Sequence, residues 1–164
     1  MLPLRGAEIE SAMSHSHEET EAIRTMVANV AHHIDGKRWA ELRGLYAETV
    51  TTDYTSLFGG TPQKQSGDDL IAGWRKLLGK IATQHLLGPI DVHSSGEAAT
   101  ARCHVRAAHH APRAPGGEHW ELLGHYIFEL SIEGTGWKIS GMKLEALLQT
   151  GNTKLLAEAS ALPK

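Results

Sequence analysis

From Thr83 to Gln149 the sequence follows strand periodicity, and this long stretch limits the folds that the chain can adopt. Runs rich in β-branched and aromatic residues alternate with the turn segments SSGE, APRAPGG and EGTG. The glycines of IEGTGW suit the tight reversal of a hairpin. We therefore expect an antiparallel meander of four strands, at residues 83–93, 98–110, 119–132 and 136–149.

The first eighty residues show helical periodicity instead. Ser16 and Glu19 have the spacing of a capping box, and the helix that they begin should end at Gly36, which suits a left-handed residue. A second helix is predicted in KRWAELRGLYAE, and a third after the cap residue Ser66. Between these two, residues 49–58 have the composition of a strand.

Helices that precede an antiparallel sheet predict an α+β fold. A chain of 164 residues is long enough for one domain with a substantial core. We assign residues 18–150 to this domain. Residues 1–17 are expected to be a flexible N-terminal segment, and residues 151–164 a C-terminal extension with a short helix in TKLLAEASAL.

Composition excludes several classes of function. The net charge is −3, and the 16 Lys and Arg residues form no basic run, which argues against a nucleic-acid partner. The single cysteine, Cys103, rules out an internal disulfide and a CxxC site. No run approaches the roughly 20 apolar residues that cross a bilayer, so we expect a cytoplasmic protein without membrane contact.

The chain has 11 histidines, of which His85 lies in an apolar strand beside Ile81 and Leu86. A buried histidine must satisfy both ring nitrogens, and a carboxylate partner would leave one nitrogen free to take a proton. Asp35 is a candidate partner, because a carboxylate is unfavourable at a helix C-terminus and needs compensation. Asp53 and Asp91 remain alternatives at this point.

Alternation along residues 98–110 places His109 and His110 on opposite faces, and one of them should face the interior of the sheet. A metal site made of His85, His110 and His125 is a weaker hypothesis, because the sequence has no helical HxxxH pair and no nearby cysteine. The four tryptophans, at 39, 74, 120 and 137, are expected mainly in the core and in the wall of a pocket.

Four segments, HIDGKRWAELRGLYAETVTTDYTSLF, TQHLLG, HVRAAHH and IEGTGWKISGMKLE, resemble the SnoaL-like group of the NTF2-like superfamily and, within it, the scytalone dehydratases. The resemblance spans roughly residues 18–150. It implies a cone-shaped fold, in which a strongly curved mixed sheet packs on three N-terminal helices and encloses a pocket.

The resemblance also implies a set of catalytic residues. Asp35 of IDGKRW matches the family's helix-end aspartate, and His85 of TQHLLG matches its strand histidine. Tyr54 of TDYTSL and His110 of HVRAAHH match its tyrosine and its second histidine. The implied activity is a dehydratase or isomerase that acts on a small cyclic or carbonyl-bearing molecule by acid–base catalysis, with neither a cofactor nor a metal.

Two differences from the family concern substrate binding. Ile34 replaces the tyrosine that precedes the family's aspartate, so one of two tyrosines that hold a water against the substrate carbonyl is absent. The family's serine and asparagine fall near Leu123 and His125. We expect these three positions, together with Trp39, Phe58 and Trp74, to contact the substrate, which is then a molecule other than scytalone.

A non-catalytic module that binds a small ligand or supports an oligomer is the alternative function, because folds of this kind also serve as binding modules. The outer face of a curved sheet usually needs to be covered, so we expect a homo-oligomer, either a trimer or a dimer.

Overall fold

The computed structural model describes residues 6–161, with side chains from residue 16 onward. Its helices are α1 (Gly6–Asp35), α2 (Trp39–Leu45), α3 (Thr55–Phe58), α4 (Gly67–Leu78) and α5 (Leu155–Ala161). Its strands are β1 (Tyr46–Asp53), β2 (Gln63–Ser66), β3 (Ala82–Leu87), β4 (Asp91–Ser95), β5 (Ala98–His110), β6 (His119–Glu133) and β7 (Gly136–Gly151).

The strands form one seven-stranded mixed sheet in the order β2-β1-β7-β6-β5-β3, with β4 also paired to β5. Strands β5, β6 and β7 make the expected antiparallel meander, while β1 joins β7 in parallel. Helices packed on this curved sheet confirm the predicted α+β class.

Irregular pairing bends the sheet. The register between β6 and β7 shifts at Leu123/Gly124 and at Glu129/Leu130, and such bulges bend a strand and increase its twist. Gly124 is required at the first shift, because a Cβ there would collide with the backbone carbonyl of Glu145. The bend leaves a concave side, which the helices cover.

Helix α1 lies against β3 and β4, and α4 packs on β1 and α5. The N-terminus of α4 is capped as expected, since the Ser66 hydroxyl accepts a hydrogen bond from the Asp69 amide at 3.1 Å. Alternate residues of β5 and β6 are buried, as a strand with one face on a core requires. The core therefore lies between the concave sheet face and the helices.

Several predicted boundaries are wrong. Helix α1 begins at Gly6, so Ser16 lies inside it and does not cap its start; residues 7–15 contain no Gly or Pro that would end a helix. Residues 6–17 of the expected flexible segment are thus helical, and residues 1–5 lie outside the described part of the chain. The predicted strand at 83–93 is two strands, because Pro89 cannot donate a ladder hydrogen bond. The predicted strand at 49–58 ends at Asp53 and is followed by α3.

Helix α5 packs against the core. In α5, Leu155 and Ala159 are buried, and Leu155 is 0% exposed. Helix α5, within the expected C-terminal extension, therefore contributes side chains to the core. No helix within residues 6–161 is long and apolar enough to span a membrane.

Candidate active site

Asp35 is the last residue of helix α1 and lies on the concave side of the sheet. The last turn of α1 closes with two hydrogen bonds, from the Lys37 amide to the Ile34 carbonyl at 3.1 Å and from the Arg38 amide to the His33 carbonyl at 2.8 Å. This is the Schellman pattern, and its left-handed residue is Lys37, with φ of 56°. Gly36, expected in that conformation, does not adopt it.

Asp35 and His85 form a hydrogen-bonded pair. The His85 Nδ1 donates to Asp35 Oδ1 at 2.7 Å, and the His85 amide donates to Oδ2 at 2.8 Å. The Thr83 hydroxyl donates a third bond, to Oδ1 at 2.9 Å. The side chain of His85 is 5% exposed and that of Asp35 is 24% exposed. The pair expected from the resemblance is therefore present in the structure.

The hydrogen bonds determine the charge of Asp35. Burial disfavours the carboxylate and is the largest single influence on its pKa. The hydrogen bonds from His85, the charge of the His85 ring and the hydrogen bond from Thr83 together outweigh burial, and they hold the pKa of Asp35 below its ordinary value. Asp35 is thus an anion at neutral pH, and it can stabilise a positive charge on the His85 ring.

The second nitrogen of His85 is available for chemistry. Because a carboxylate only accepts, Nδ1 carries the proton, and Nε2 of the neutral ring then holds a lone pair. Nε2 has no hydrogen-bond partner among residues 16–161, whose side chains are described, yet no fully buried side-chain nitrogen of that range lacks one. Nε2 must therefore be accessible, and the accessible space beside His85 is a cavity.

This cavity lies between the concave face of the sheet and helices α3, α4 and α5, and its volume is about 150 Å³. A cavity on the order of 150 Å³ holds one benzene-sized ring. Its wall is mainly apolar, and its mouth carries Phe58 and Leu77, which are 67% and 41% exposed. The lining residues are Ile34, Tyr54, Leu57, Phe58, Trp74, Leu77, Leu78, His85, Ala107, His109, Trp120, Leu122, Tyr126, Met142, Leu144 and Leu156.

His109 is the second histidine of the cavity. Its ring stacks on Trp120 at 4.4 Å and meets His85 edge to face at 5.8 Å. Its Nδ1 lies 3.4 Å from the Trp120 carbonyl, which can only accept, so Nδ1 carries the proton. Burial, followed by the charge of the His85 ring, lowers the pKa of His109 to about 4. His109 is therefore neutral at neutral pH.

Two tyrosines line the cavity in different states. The Tyr54 hydroxyl contacts the Met142 Sδ at 3.8 Å, and burial raises its pKa. The Tyr126 ring is 8% exposed, and its hydroxyl has no hydrogen-bond partner among the described residues. Burial raises the pKa of Tyr126 as well, so both phenols stay protonated and can donate.

The structure brings together most of the predicted site. Asp35 pairs with His85, and Ile34, Tyr54, Phe58 and Trp74 line the cavity. Trp39 does not line it. Its ring lies 6.0 Å from the Lys37 ammonium, and it borders a separate cleft beside Arg43 and Ile71.

Three predicted residues lie on the opposite face of the sheet and are corrections to the predicted site. His110 stacks on His119 at 4.5 Å, and His125 lies 4.5 Å from the His104 ring. Leu123 also points away from the cavity, since side chains alternate along β6. The inward positions are held by His109, Leu122 and Tyr126.

The same alternation separates the three histidines of the metal hypothesis. His85 faces the cavity, whereas His110 and His125 face outward, so these three do not form one ligand set. Among the side chains of residues 16–161, no cluster of three or more His, Cys, Asp or Glu is placed to hold a metal ion.

A family model of the SnoaL-like domain matches residues 15–143. The chain belongs to the SnoaL-like family. Two fungal relatives are similar in sequence. A dehydratase of Pestalotiopsis microspora is 33% identical over 122 residues, which cover 68% of this chain and 76% of the relative. The scytalone dehydratase-like protein Arp1 of Metarhizium guizhouense is 31% identical over 116 residues, which cover 65% and 67%.

Solved structures share the fold of this SnoaL-like chain. The Kfla4162 protein of Kribbella flavida superposes with a TM-score of 0.80 at 28% identity, covering 87% of this chain and 99% of that one. An NTF2-like protein with a cystatin-like fold from Novosphingobium aromaticivorans gives a TM-score of 0.67 at 21% identity, covering 87% and 90%. The family model confirms the predicted SnoaL-like family, and these structures show the same fold.

Proposed function

We propose that this SnoaL-like protein is a cofactor-independent lyase that removes water from a small, mainly apolar cyclic molecule with a carbonyl group. One observation carries the proposal: the Asp35–His85 pair leaves a basic nitrogen, Nε2, open to an apolar cavity. Such a cavity excludes bulk water, which would otherwise screen the charge that the imidazole gains when it takes a proton. The dehydratase names of two sequence relatives support the same reaction class.

In the proposed reaction, His85 Nε2 takes a proton from the carbon next to the substrate carbonyl. The C–H electrons form a carbon–carbon double bond, and the carbonyl oxygen becomes an enolate. Asp35 stabilises the imidazolium that results. The enolate then re-forms the carbonyl and expels the β-hydroxyl group, which takes the proton from His85 and departs as water. The base is regenerated, so each cycle balances without a cofactor.

Hydrogen-bond donors at the enolate oxygen lower the barrier, because they act where negative charge develops. Tyr126 is the main candidate, since its hydroxyl is not engaged by a protein group and its pKa keeps it protonated. Tyr54 is the second candidate, although its hydroxyl already contacts Met142. Tyr126 would replace the phenol that is lost at Ile34.

His109 is a poor proton donor for the leaving hydroxyl group. With a pKa of about 4, only about one ring in a thousand is protonated at pH 7. We therefore assign the return of the proton to His85. His109 instead presents a neutral ring with an acceptor nitrogen, which can bind a substrate hydroxyl.

The test uses a β-hydroxytetralone, which becomes a naphthol when it loses water. Its reacting ring would occupy the cavity, and its second ring would lie at the mouth beside Phe58 and Leu77. We expect turnover by the wild type, followed by naphthol absorbance, and a fall of about 10²- to 10⁴-fold in His85→Gln. His110→Gln is the matched control, because it removes a histidine from the opposite face of the same sheet. Equal turnover by wild type and His85→Gln would contradict the assignment of the base.

A second measurement does not need a leaving group. In D₂O with the wild-type protein, tetralone should gain deuterium on the carbon next to its carbonyl, because His85 exchanges the protons there. The ¹H NMR signal of these protons should therefore disappear with wild type and persist with His85→Gln. Binding of tetralone without exchange would favour the alternative, a non-catalytic ligand-binding module.

Two other expectations stay predictions. A cytoplasmic location can be checked by fractionation of the native host. Self-association as a trimer or a dimer can be measured by light scattering on the purified chain, and a monomer at micromolar concentration would contradict it.

A further inference from the structure

Lys37 adopts a backbone conformation that glycine would adopt at lower cost. It occupies the left-handed position of the Schellman motif with φ of 56°, where a Cβ is sterically unfavourable. Glycine is the usual residue there, and Gly36 stands one position earlier. A lysine in this conformation is therefore unexpected on backbone grounds alone, and strained residues of this kind cluster at functional sites.

The Lys37 side chain leads back to the Asp35–His85 pair. Its Nζ donates to the Thr83 Oγ1 at 3.0 Å, and Thr83 Oγ1 donates to Asp35 Oδ1 at 2.9 Å. The same Oδ1 accepts from His85 Nδ1 at 2.7 Å. These three hydrogen bonds form a continuous chain from the ammonium to the imidazole.

The direction of each bond in this chain follows from Lys37. An ammonium only donates, so the Thr83 oxygen must accept from it. The single Thr83 proton is then directed to Asp35 rather than away from it. Without Lys37, the Thr83 hydroxyl could rotate, and Asp35 would lose both a fixed donor and a nearby positive charge.

The surroundings hold the ammonium in place. Lys37 is half-buried, and its Nζ lies 6.0 Å from the centre of the Trp39 ring, a cation–π contact. Burial lowers the pKa of Lys37, and the charge of Asp35 opposes that effect. Trp39, expected in the substrate pocket, contacts the group that acts on Asp35 instead.

We propose that Lys37 is a positioning residue, which fixes the Thr83 hydroxyl and, through it, the Asp35 carboxylate that orients His85. The inference rests on the proposed role of His85, but its test requires no substrate. The charged and titratable groups around the Asp35–His85 pair are Lys37, two residues after the end of α1, His109 on β5 and Tyr126 on β6.

The test compares Lys37→Met, Lys37→Gly and Lys37→Arg by NMR of chain labelled with ¹⁵N at histidine. Wild type should show a slowly exchanging Nδ1–H signal from His85. Lys37→Met and Lys37→Gly should speed its exchange with solvent by about tenfold or more, because a charge-assisted hydrogen bond is lost. Lys37→Arg should keep the slow exchange, since a guanidinium can also donate to Thr83.

His109 provides an independent readout. The charge of Lys37 is one of the influences that lower the pKa of His109, after burial and His85. The titration midpoint of His109 should therefore rise in Lys37→Met and Lys37→Gly and stay low in Lys37→Arg. Lys143→Met is the matched control, because Lys143 pairs with Glu145 at 3.3 Å away from the cavity.

Thermal unfolding separates positioning from a structural role. Lys37→Gly relieves the left-handed strain, so it should unfold at the same or a higher temperature than Lys37→Met, while both lose the slow signal. Unaltered exchange and an unaltered His109 midpoint in both variants would overturn the role of Lys37. Absence of the slow His85 signal in wild type would instead overturn the Asp35–His85 pair and, with it, the proposed function.

Discussion

The Asp35 carboxylate binds His85 at two points, the ring Nδ1 at 2.7 Å and the backbone amide at 2.8 Å. The two residues are 50 positions apart, one at the end of α1 and the other on β3. One carboxylate thus fixes the main chain of the strand and the orientation of the ring together. This double contact explains why a carboxylate is tolerated at the C-terminal end of a helix, where the dipole opposes it.

Replacing this carboxylate by an amide should remove most of the activity. Asp35→Asn retains the shape of the side chain but loses the charge that stabilises the imidazolium. We expect kcat on the hydroxytetralone to fall by about 10²- to 10⁴-fold, with little change in the circular dichroism spectrum. Steady-state kinetics on the purified variant measures the effect.

The chain contains a matched control for this variant. Asp91 pairs with His93 Nε2 at 3.2 Å, but both side chains are more than 70% exposed. An exposed ion pair contributes little to the stability of the fold, so Asp91→Asn should keep wild-type kinetics. Equal losses in Asp35→Asn and Asp91→Asn would mean that the effect is not specific to the cavity.

Removal of the Tyr126 hydroxyl should slow the reaction without disturbing the fold. Tyr126→Phe keeps the ring and its edge contact with Phe128 at 5.8 Å. It deletes only a hydroxyl that forms no hydrogen bond with any described residue. We expect kcat to fall by about 10²- to 10³-fold, the usual effect of losing one donor to a developing oxyanion, and KM to change less.

Tyr46→Phe tests whether any buried phenol would give the same result. The Tyr46 hydroxyl contacts Met142 Sδ at 3.6 Å, but Tyr46 does not line the cavity. Its loss should leave kcat within about twofold of wild type, since surface or core hydroxyls outside a site do not touch the reacting atoms. A drop as large as that of Tyr126→Phe would argue against the role of Tyr126.

The sequence predicted secondary structure correctly where the spacing of apolar residues fits only one kind of element. Helical spacing after Ser66 and alternation along 98–110 predict α4 and β5, because apolar side chains at those spacings have only one face to bury. The pair of Asp35 and His85 required the family resemblance, since the residues alone left Asp53 and Asp91 as partners. The two residues are 50 positions apart, and no periodic pattern in the sequence predicts a contact at that separation.

The face of the sheet was assigned from the family resemblance, and this assignment was wrong for His110. His109 and His110 are adjacent, and a shift of one residue exchanges their faces. The resemblance pointed to His110, whereas the register that pairs His109 with Trp120 turns His109 inward. The resemblance also placed Leu123 and His125 in the site, although the inward positions of β6 are one residue away. The buried run of Trp120, Leu122, Tyr126 and Phe128 was the available signal for the correct face.

Filling the cavity should weaken binding without altering the catalytic groups. Ala107 is 1% exposed, lines the cavity and pairs with both His85 and Leu122 across the sheet. Ala107→Leu places three more carbon atoms in that space, so tetralone affinity should fall by tenfold or more, at a stability cost of about 1–3 kcal/mol. Quenching of the cavity tryptophans, Trp74 and Trp120, measures binding.

Ala108→Leu is the control for this variant, because Ala108 is the next residue of β5 and points to the other face. Its tetralone affinity should match wild type. Loss of binding in both variants would mean that the probe binds somewhere other than the described cavity.

Acid should destabilise the protein through His109. The ordinary pKa of 6.5 applies to the unfolded chain, and burial lowers the folded pKa to about 4. Above pH 6.5 neither state binds a proton at this ring, so its effect on stability is constant. Between these two values the unfolded state binds the proton and the folded state does not, so stability falls as pH falls.

The expected loss across that interval is roughly 3 kcal/mol, at about 1.4 kcal/mol for each pKa unit. Urea unfolding between about pH 7 and pH 4 measures it. His109→Phe should flatten this dependence, because phenylalanine keeps the stack on Trp120 but cannot titrate. His110→Gln should keep the wild-type slope, since His110 lies on the outer face. A wild-type slope in His109→Phe would mean that another group unfolds the protein in acid.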